Sequence, residues 1–191
     1  MFWHCYNLTT FDSDLNALTN GYEMFYYCTA LTTFSSDLSN LRNGSLMFGG
    51  CSKLTTFTSD LSNLTNGYMM FCGSNLKSFN SDLSALTDGY NMFYNTNLTS
   101  FTSDLSSLTD GERMFSYCTI LTTFNSNLSS LTDSSFMFSG CYKLASFTSN
   151  LSSLTNGDSM FGSCRLDTVS IKNIAETINH YNGRIDIGIG R

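Results

Sequence analysis

From Leu54 onward the apolar residues fall at Leu54, Phe57, Leu61, Leu64, Met70 and Phe71, with mostly polar residues between them. That spacing follows neither the 3.6-residue period of an amphipathic helix nor strict alternation through the whole unit. Such a unit combines a short strand, a turn and a compact return. The strand is best placed at "LTTFTSDL", residues 54–61, because Thr and Phe favour a pleated backbone. The turn is best placed at Asn66-Gly67, residue types that tolerate positive φ.

The phrase then repeats. Met-Phe occurs at 1, 24, 47, 70, 92, 114, 137 and 160, giving spacings of 23, 23, 23, 22, 22, 23 and 23 residues. The same turn recurs at Asn20-Gly21, Asn43-Gly44, Asp88-Gly89, Asp110-Gly111 and Asn156-Gly157, with Asp133-Ser134 as the one departure. A rung this short cannot bury its Leu, Phe and Met faces alone, whereas stacked copies close a continuous core. The pattern therefore predicts a solenoid of about seven rungs over residues 1–164, with strands about 4.8 Å apart.

After Cys164 the pattern stops, and residues 165–191 are expected to form a strand-helix-strand cap. "SIKNIAETINHY" has the spacing of an amphipathic helix. Ser170 is the candidate N-cap, Ile171, Ile174, Ala175 and Ile178 share a face, and Lys172 lies four residues before Glu176. Ile185, Ile187 and Ile189 then alternate with Arg184, Asp186 and Gly188 as in a strand. The N-terminal rung has no comparable cap in the sequence and is expected to be open to end-to-end self-association.

If Leu and Phe of "LTTF" point inward, the residues flanking each Phe point outward, and so does the acid two positions further on. Three rows result. The first is Thr10, Thr33, Thr56, Ser78, Ser100, Thr123 and Ser146. The second is Asp12, Ser35, Thr58, Asn80, Thr102, Asn125 and Thr148, and the third is Asp14, Asp37, Asp60, Asp82, Asp104, Asn127 and Asn150. They form either a solvated strand face with Asx turns or a binding face for a protein or glycan. The pair after each turn Gly varies most between rungs, and Tyr22, Tyr68 and Tyr90 there offer aromatic contact points.

Composition narrows the partners. The charged fraction is 13% and the formal net charge is −6, with no basic run, so a nucleic-acid partner is not expected. No apolar run reaches 18 residues, and neither a membrane span nor a signal peptide is recognisable. Six of the seven cysteines, Cys5, Cys28, Cys51, Cys118, Cys141 and Cys164, occupy one slot, and Cys72 is displaced into a shortened rung. Stacked neighbours lie within disulfide range, but the periodic slot and the odd total favour buried thiols, and no zinc spacing is present. The two histidines, His4 and His180, lie far apart in the sequence, and a His4-Cys5 dyad is not expected. Neither a catalytic nor a phosphate-binding motif is present. Thr56-Phe57-Thr58 has the spacing of ice-binding solenoids, but Asp, Asn and Ser interrupt the rows, and the acids do not follow a calcium-repeat pattern.

The segment "LTTFSSDLSNLRNGSLMFGGCSKL", Leu31 to Leu54, resembles the BspA-type bacterial leucine-rich repeat, with Gly44, Phe48 and Cys51 in that family's turn, aromatic and cysteine places. The chain departs from it at Ser36-Asp37, where the family commonly has an aliphatic residue and then Pro. The resemblance implies a leucine-rich-repeat solenoid with one short parallel strand per rung and an irregular or short helical return. It also implies an extracellular or cell-surface recognition and adhesion module, often part of a longer protein, with no cofactor, no reaction and no membrane insertion. A structural spacer or assembly element of a surface or phage-like protein is the alternative.

Overall fold

A computed structural model describes residues 1–178. The strand Leu and Phe, the two Leu that follow and the Met-Phe pair of each inner rung are buried in one continuous core. Leu31, Leu38, Leu41, Met47 and Phe48 are fully buried, and the same positions repeat through Met160 and Phe161.

Fifteen of the sixteen phenylalanines form two columns within that core. The Met-Phe column runs Phe2, Phe25, Phe48, Phe71, Phe93, Phe115, Phe138 and Phe161, and Phe48 and Phe71 stack with centroids 5.6 Å apart and planes 4° from parallel. The strand column runs Phe11, Phe34, Phe57, Phe79, Phe101, Phe124 and Phe147, and Phe34 and Phe57 stack at 5.9 Å. The columns meet edge to face, as at Phe34 and Phe48, 4.6 Å apart and 65° between planes. Both geometries suit the ring quadrupole.

Regular strands are shorter than the eight residues expected. They are β1 Thr33–Phe34, β2 Thr56–Phe57, β3 Ser100–Phe101, β4 Thr123–Phe124 and β5 Ser146–Phe147. Pairing is parallel and joins each residue to its own copy, Thr33 to Thr56 and Phe34 to Phe57. Two sheets result, β1-β2 and β3-β4-β5, separated by the fourth rung. The break coincides with the two 22-residue rungs. Their cysteine slot is filled by Ser74 and Thr96, and one residue rather than two lies between it and the next Leu.

The Asn-Gly and Asp-Gly sites are not positive-φ turns. Positive-φ glycines among the described residues are Gly50, Gly73 and Gly140, none of which follows that Asn or Asp. Instead Asn20, Asn43, Asn66, Asp88, Asp110, Asp133 and Asn156 form a parallel bridge ladder that crosses the shortened rungs without interruption. The glycine is needed for space. A Cβ on Gly44 would lie 2.6 Å from Met70 Sδ in the next rung, and one on Gly21 would lie 2.6 Å from Met47 Sδ.

The return is a run of tight turns and contains no helix. Met24 N donates to Gly21 O, Tyr26 N to Glu23 O and Cys28 N to Phe25 O, while the intervening N–H groups of Glu23, Phe25 and Tyr27 donate to Ser45, Met47 and Gly49 of the next rung. This path puts the residue before each Met in the left-handed region, from Glu23 at φ 52° to Ser159 at φ 53°, so half of the variable pair is conformationally constrained.

Among the described residues a single helix, α1 Thr168–Thr177, packs on the last rung. Its N-cap is Asp167, not Ser170, because the Asp167 carboxylate accepts from Ser170 N at 2.7 Å. Ser170 lies inside the helix and is buried, accepting from Phe147 N at 2.8 Å and donating to Ala145 O at 3.3 Å. Its hydroxyl takes the place of a next rung. Ile174 is buried and Ile178 packs against the core, but Ala175 faces solvent. Lys172 and Glu176 pair at 3.7 Å in an exposed position. The expected alternation from Arg184 to Ile189 lies outside the described residues.

Because an added methyl group at Gly44 must displace the buried Met70 thioether, Gly44→Ala is expected to destabilise the protein by about 1–2 kcal/mol, measured by urea unfolding. Unchanged stability would show that Met70 does not fix this approach.

Candidate functional site

The strand segment alternates out, in, out from each Phe onward. All seven residues of the second row and all seven of the third are exposed, and the first row is exposed except for half-buried Ser146. Thr10, Thr33, Thr56, Ser78, Ser100 and Thr123 thus form one outward row, in register from Thr33 to Thr56 and from Ser100 to Thr123, with Ser78 in neither ladder. Beside it runs the line containing Thr58, Asn80, Thr102 and Asn125, and then the acidic line of Asp37, Asp60, Asp82 and Asp104. Among the described residues, the hydroxyls of Thr33, Thr56, Thr58, Thr102 and Thr123 bond to no protein group, while the backbone beneath them is tied rung to rung. The face is therefore rigid, with free donors and acceptors.

The acidic row is structurally engaged. Each member takes the N–H two residues on, at 2.8 Å for Asp37 with Ser39, Asp60 with Ser62 and Asp82 with Ser84 and at 2.9 Å for Asp104 with Ser106. Asn127 and Asn150 make the same bond. At Asp37 the Ser39 backbone N–H, then its hydroxyl, holds the carboxyl below its ordinary value. At Asp60 and Asp82 the other carboxylate oxygen stays clear of that turn, whereas Asp104 Oδ2 accepts from the Ser106 hydroxyl at 3.2 Å.

Sequence reasoning missed the residue between the second and third rows. Ser13, Ser36, Ser59, Ser81, Ser103, Ser126 and Ser149 occupy it in every rung, the one polar position in the strand segment that never varies. Ser36, Ser59, Ser103, Ser126 and Ser149 are buried with unpartnered Oγ atoms, whereas Ser81 Oγ donates to Ser59 O at 2.7 Å. Their invariance in a variable stretch was the available signal.

The tyrosines do not join this face. Tyr22, Tyr68 and Tyr90 lie on the return side of the Asn/Asp ladder, where Tyr68 and Tyr90 stack at 5.1 Å. Each rung's N–H beside the ladder is satisfied by the Asn or Asp itself, as Tyr22 N donates to Asn20 Oδ1 at 3.0 Å. Asp88, Asp110 and Asp133 are consecutive in this ladder. Burial, and then the charges of Asp88 and Asp133, raise the Asp110 pKa above 3.8 against the lowering effect of the Glu112 N–H.

The cysteine slot lies inside the rod. Cys28, Cys51, Cys118, Cys141 and Cys164 are buried, and each Sγ donates to the carbonyl of an earlier Phe, 3.1 Å for Cys51 to Phe25 O. Burial pushes the Cys51 and Cys164 thiols up to about 12, opposite to what a nucleophile needs. His4 Nδ1 bonds the Tyr6 hydroxyl at 2.6 Å, and its ring packs beside Trp3 and Tyr27. Among the described residues no group of three His, Cys, Asp or Glu is placed to hold a metal ion, and no helix is long and apolar enough to cross a membrane.

These features define a leucine-rich-repeat solenoid with a polar strand face. The chain belongs to the BspA type leucine rich repeat family, whose repeat region matches in six copies over residues 1–77 and 67–182. Its fold is similar to that of a crystallised leucine-rich repeat protein from Bacteroides ovatus, with TM-score 0.58 and 22% identity over 77% of this chain. That match covers 45% of the Bacteroides protein, so the chain spans less than half of its length. No curated protein matches.

Asp110 favours its neutral form more in the folded protein than in the unfolded chain, so its ionisation costs stability above the ordinary carboxylate range. Asp110→Asn is accordingly expected to raise the urea midpoint at pH 7, with the advantage vanishing below about pH 4 as the native carboxyl protonates. A constant advantage at both pH values would place its origin elsewhere.

Proposed function

We propose that the chain is a non-catalytic recognition and adhesion module that presents the Thr/Ser/Asp strand face to a protein or glycan on a cell or matrix surface, itself working extracellularly or at the cell surface. The observation that carries this reading is the row of exposed hydroxyls without internal partners on a backbone tied rung to rung on both sides of the gap between the third and fourth rungs. A preorganised face loses little conformational freedom on association. Leucine-rich-repeat family membership and the buried, hydrogen-bonded thiols support a binding role over a chemical one. The test is retention of the protein on arrays of matrix proteins and glycans, compared with a Thr33→Lys, Thr123→Lys variant. Retention by one partner class that falls about tenfold or more in the variant is the expected result. A hydrolytic activity abolished by one substitution, or retention indifferent to the face, overturns the reading.

A second reading, an assembly element, is favoured by the N-terminal rung. Leu8, Phe11, Leu15 and Leu18 are half-buried there, while their counterparts Leu31, Leu38 and Leu41 are fully buried and Phe34 is 1% exposed. A cleft of 350 Å³ lined by Asp14, Leu15, Asn16, Ala17 and Leu18 opens at that end. Stacking on a second copy predicts a mass that grows with concentration in light scattering. A constant monomer mass removes this reading.

A further inference from the structure

We infer that the gap in the strand face between the third and fourth rungs receives an arginine side chain of a protein partner. The inference deepens the recognition reading above and rests on it.

The gap has a local cause. Only Asn75 separates Ser74, in the slot of the third rung, from Leu76, where Ser52 and Lys53 separate Cys51 from Leu54, so the fourth strand segment starts one residue early. Thr55 N donates to Thr32 O at 3.0 Å on one side, and Thr122 N to Thr99 O at 2.9 Å further along, but no backbone hydrogen bond joins residues 55–58 to residues 77–80. The Ser81 hydroxyl, donating to Ser59 O, bridges the two rungs instead. A cleft of 330 Å³ opens beside that bridge, lined by Phe57, Thr58, Ser59, Asp60, Asn80, Ser81 and Asp82.

The lining selects the occupant. Asp60 and Asp82 each commit Oδ1 to a backbone N–H, leaving the other oxygen unbonded, and no cation lines the cleft. Ser59 is 3% exposed, and its Oγ, in the wall, has no partner. Phe57 is 5% exposed, more than any other strand phenylalanine from Phe34 to Phe147. Carboxylates from two rungs, an aromatic edge and a buried hydroxyl match a planar guanidinium, which carries five donors and stacks on rings. A lysine ammonium meets the charge but not the plane, and a neutral sugar does not need two carboxylates. The net charge of −6 attracts such a partner over distance.

The experiment titrates hexa-arginine, with hexa-lysine and a neutral maltohexaose as comparators, into the full chain at low ionic strength, by calorimetry and amide NMR. Asn already makes the same local bond at Asn127 and Asn150, so Asp60→Asn with Asp82→Asn keeps the turn. Hexa-arginine is expected to bind more tightly than hexa-lysine, to shift amides of residues 57–60 and 80–82, and to lose about tenfold in affinity in that double variant. Asp88→Asn with Asp110→Asn makes the same charge change in the Asn/Asp ladder and is expected to lose less than about twofold. An equal loss in that pair, or in Asp14→Asn with Asp104→Asn, means diffuse attraction and overturns the site. Maltohexaose shifting these amides in place of hexa-arginine, or no shift there, overturns it too. The recognition reading fails separately, when partner retention ignores Thr33→Lys and Thr123→Lys.

Discussion

The phenylalanines of both columns stack on their own copies in neighbouring rungs, and the two columns interlock edge to face. Ring pairs of this kind add about 0.5–1.5 kcal/mol beyond the burial of their surface, and here they recur at every step. The more important effect is geometric. Rings that stack within about ten degrees of parallel hold successive rungs in register, and a slip of one residue would turn Leu and Phe outward and the hydroxyl rows inward. Gly21 and Gly44 belong to the same constraint, since they leave room for the next rung's methionine beside the rings.

With the register fixed, the backbone satisfies itself in two opposite senses. In the strand half, a later rung donates to an earlier one, as Thr55 N does to Thr32 O. In the return half, an earlier rung donates to a later one, as Phe25 N does to Met47 O. The reversal falls at the Asn/Asp ladder: Asn43 donates its N–H to Thr19 O and accepts from Gly21 N. Its side chain then accepts Ser45 N, which has no axial partner. Opposed peptide directions keep a large axial dipole from building up along the rod. They also explain why an Asx residue is needed where a simple turn was expected.

Two missing residues change the rod locally without breaking it. The Phe columns and the Asn/Asp ladder pass through the shortened rungs, while the strand ladder stops. The link between slot and strand is where the deletion falls, so the strand edge absorbs the mismatch and the core does not. The slot changes with it: Thr96 meets Cys118 Sγ at 3.2 Å, continuing the cysteine column with a hydroxyl. A uniform face thereby acquires one distinct position, the kind of irregularity that a recognition surface needs for specificity.

The sequence by itself determined the solenoid, the rung length, the inward Leu, Phe and Met, the three outward rows and the cysteine column, because each follows from period and alternation. It also located the two short rungs. What it left to the tertiary structure were properties that depend on the neighbouring rung. Asn-Gly reads as a turn in one rung, and its Asn or Asp position is a ladder across seven stacked rungs. Ser170 reads as a cap by position, yet its hydroxyl serves the edge of β5, and Asp167 caps the helix. The left-handed residues Leu46, Met69 and Phe136 run against local preference and are held by the turns around them. The cleft at Ser59 exists only because one rung is misaligned with the next, a relation between residues 22 apart that no single stretch of chain contains.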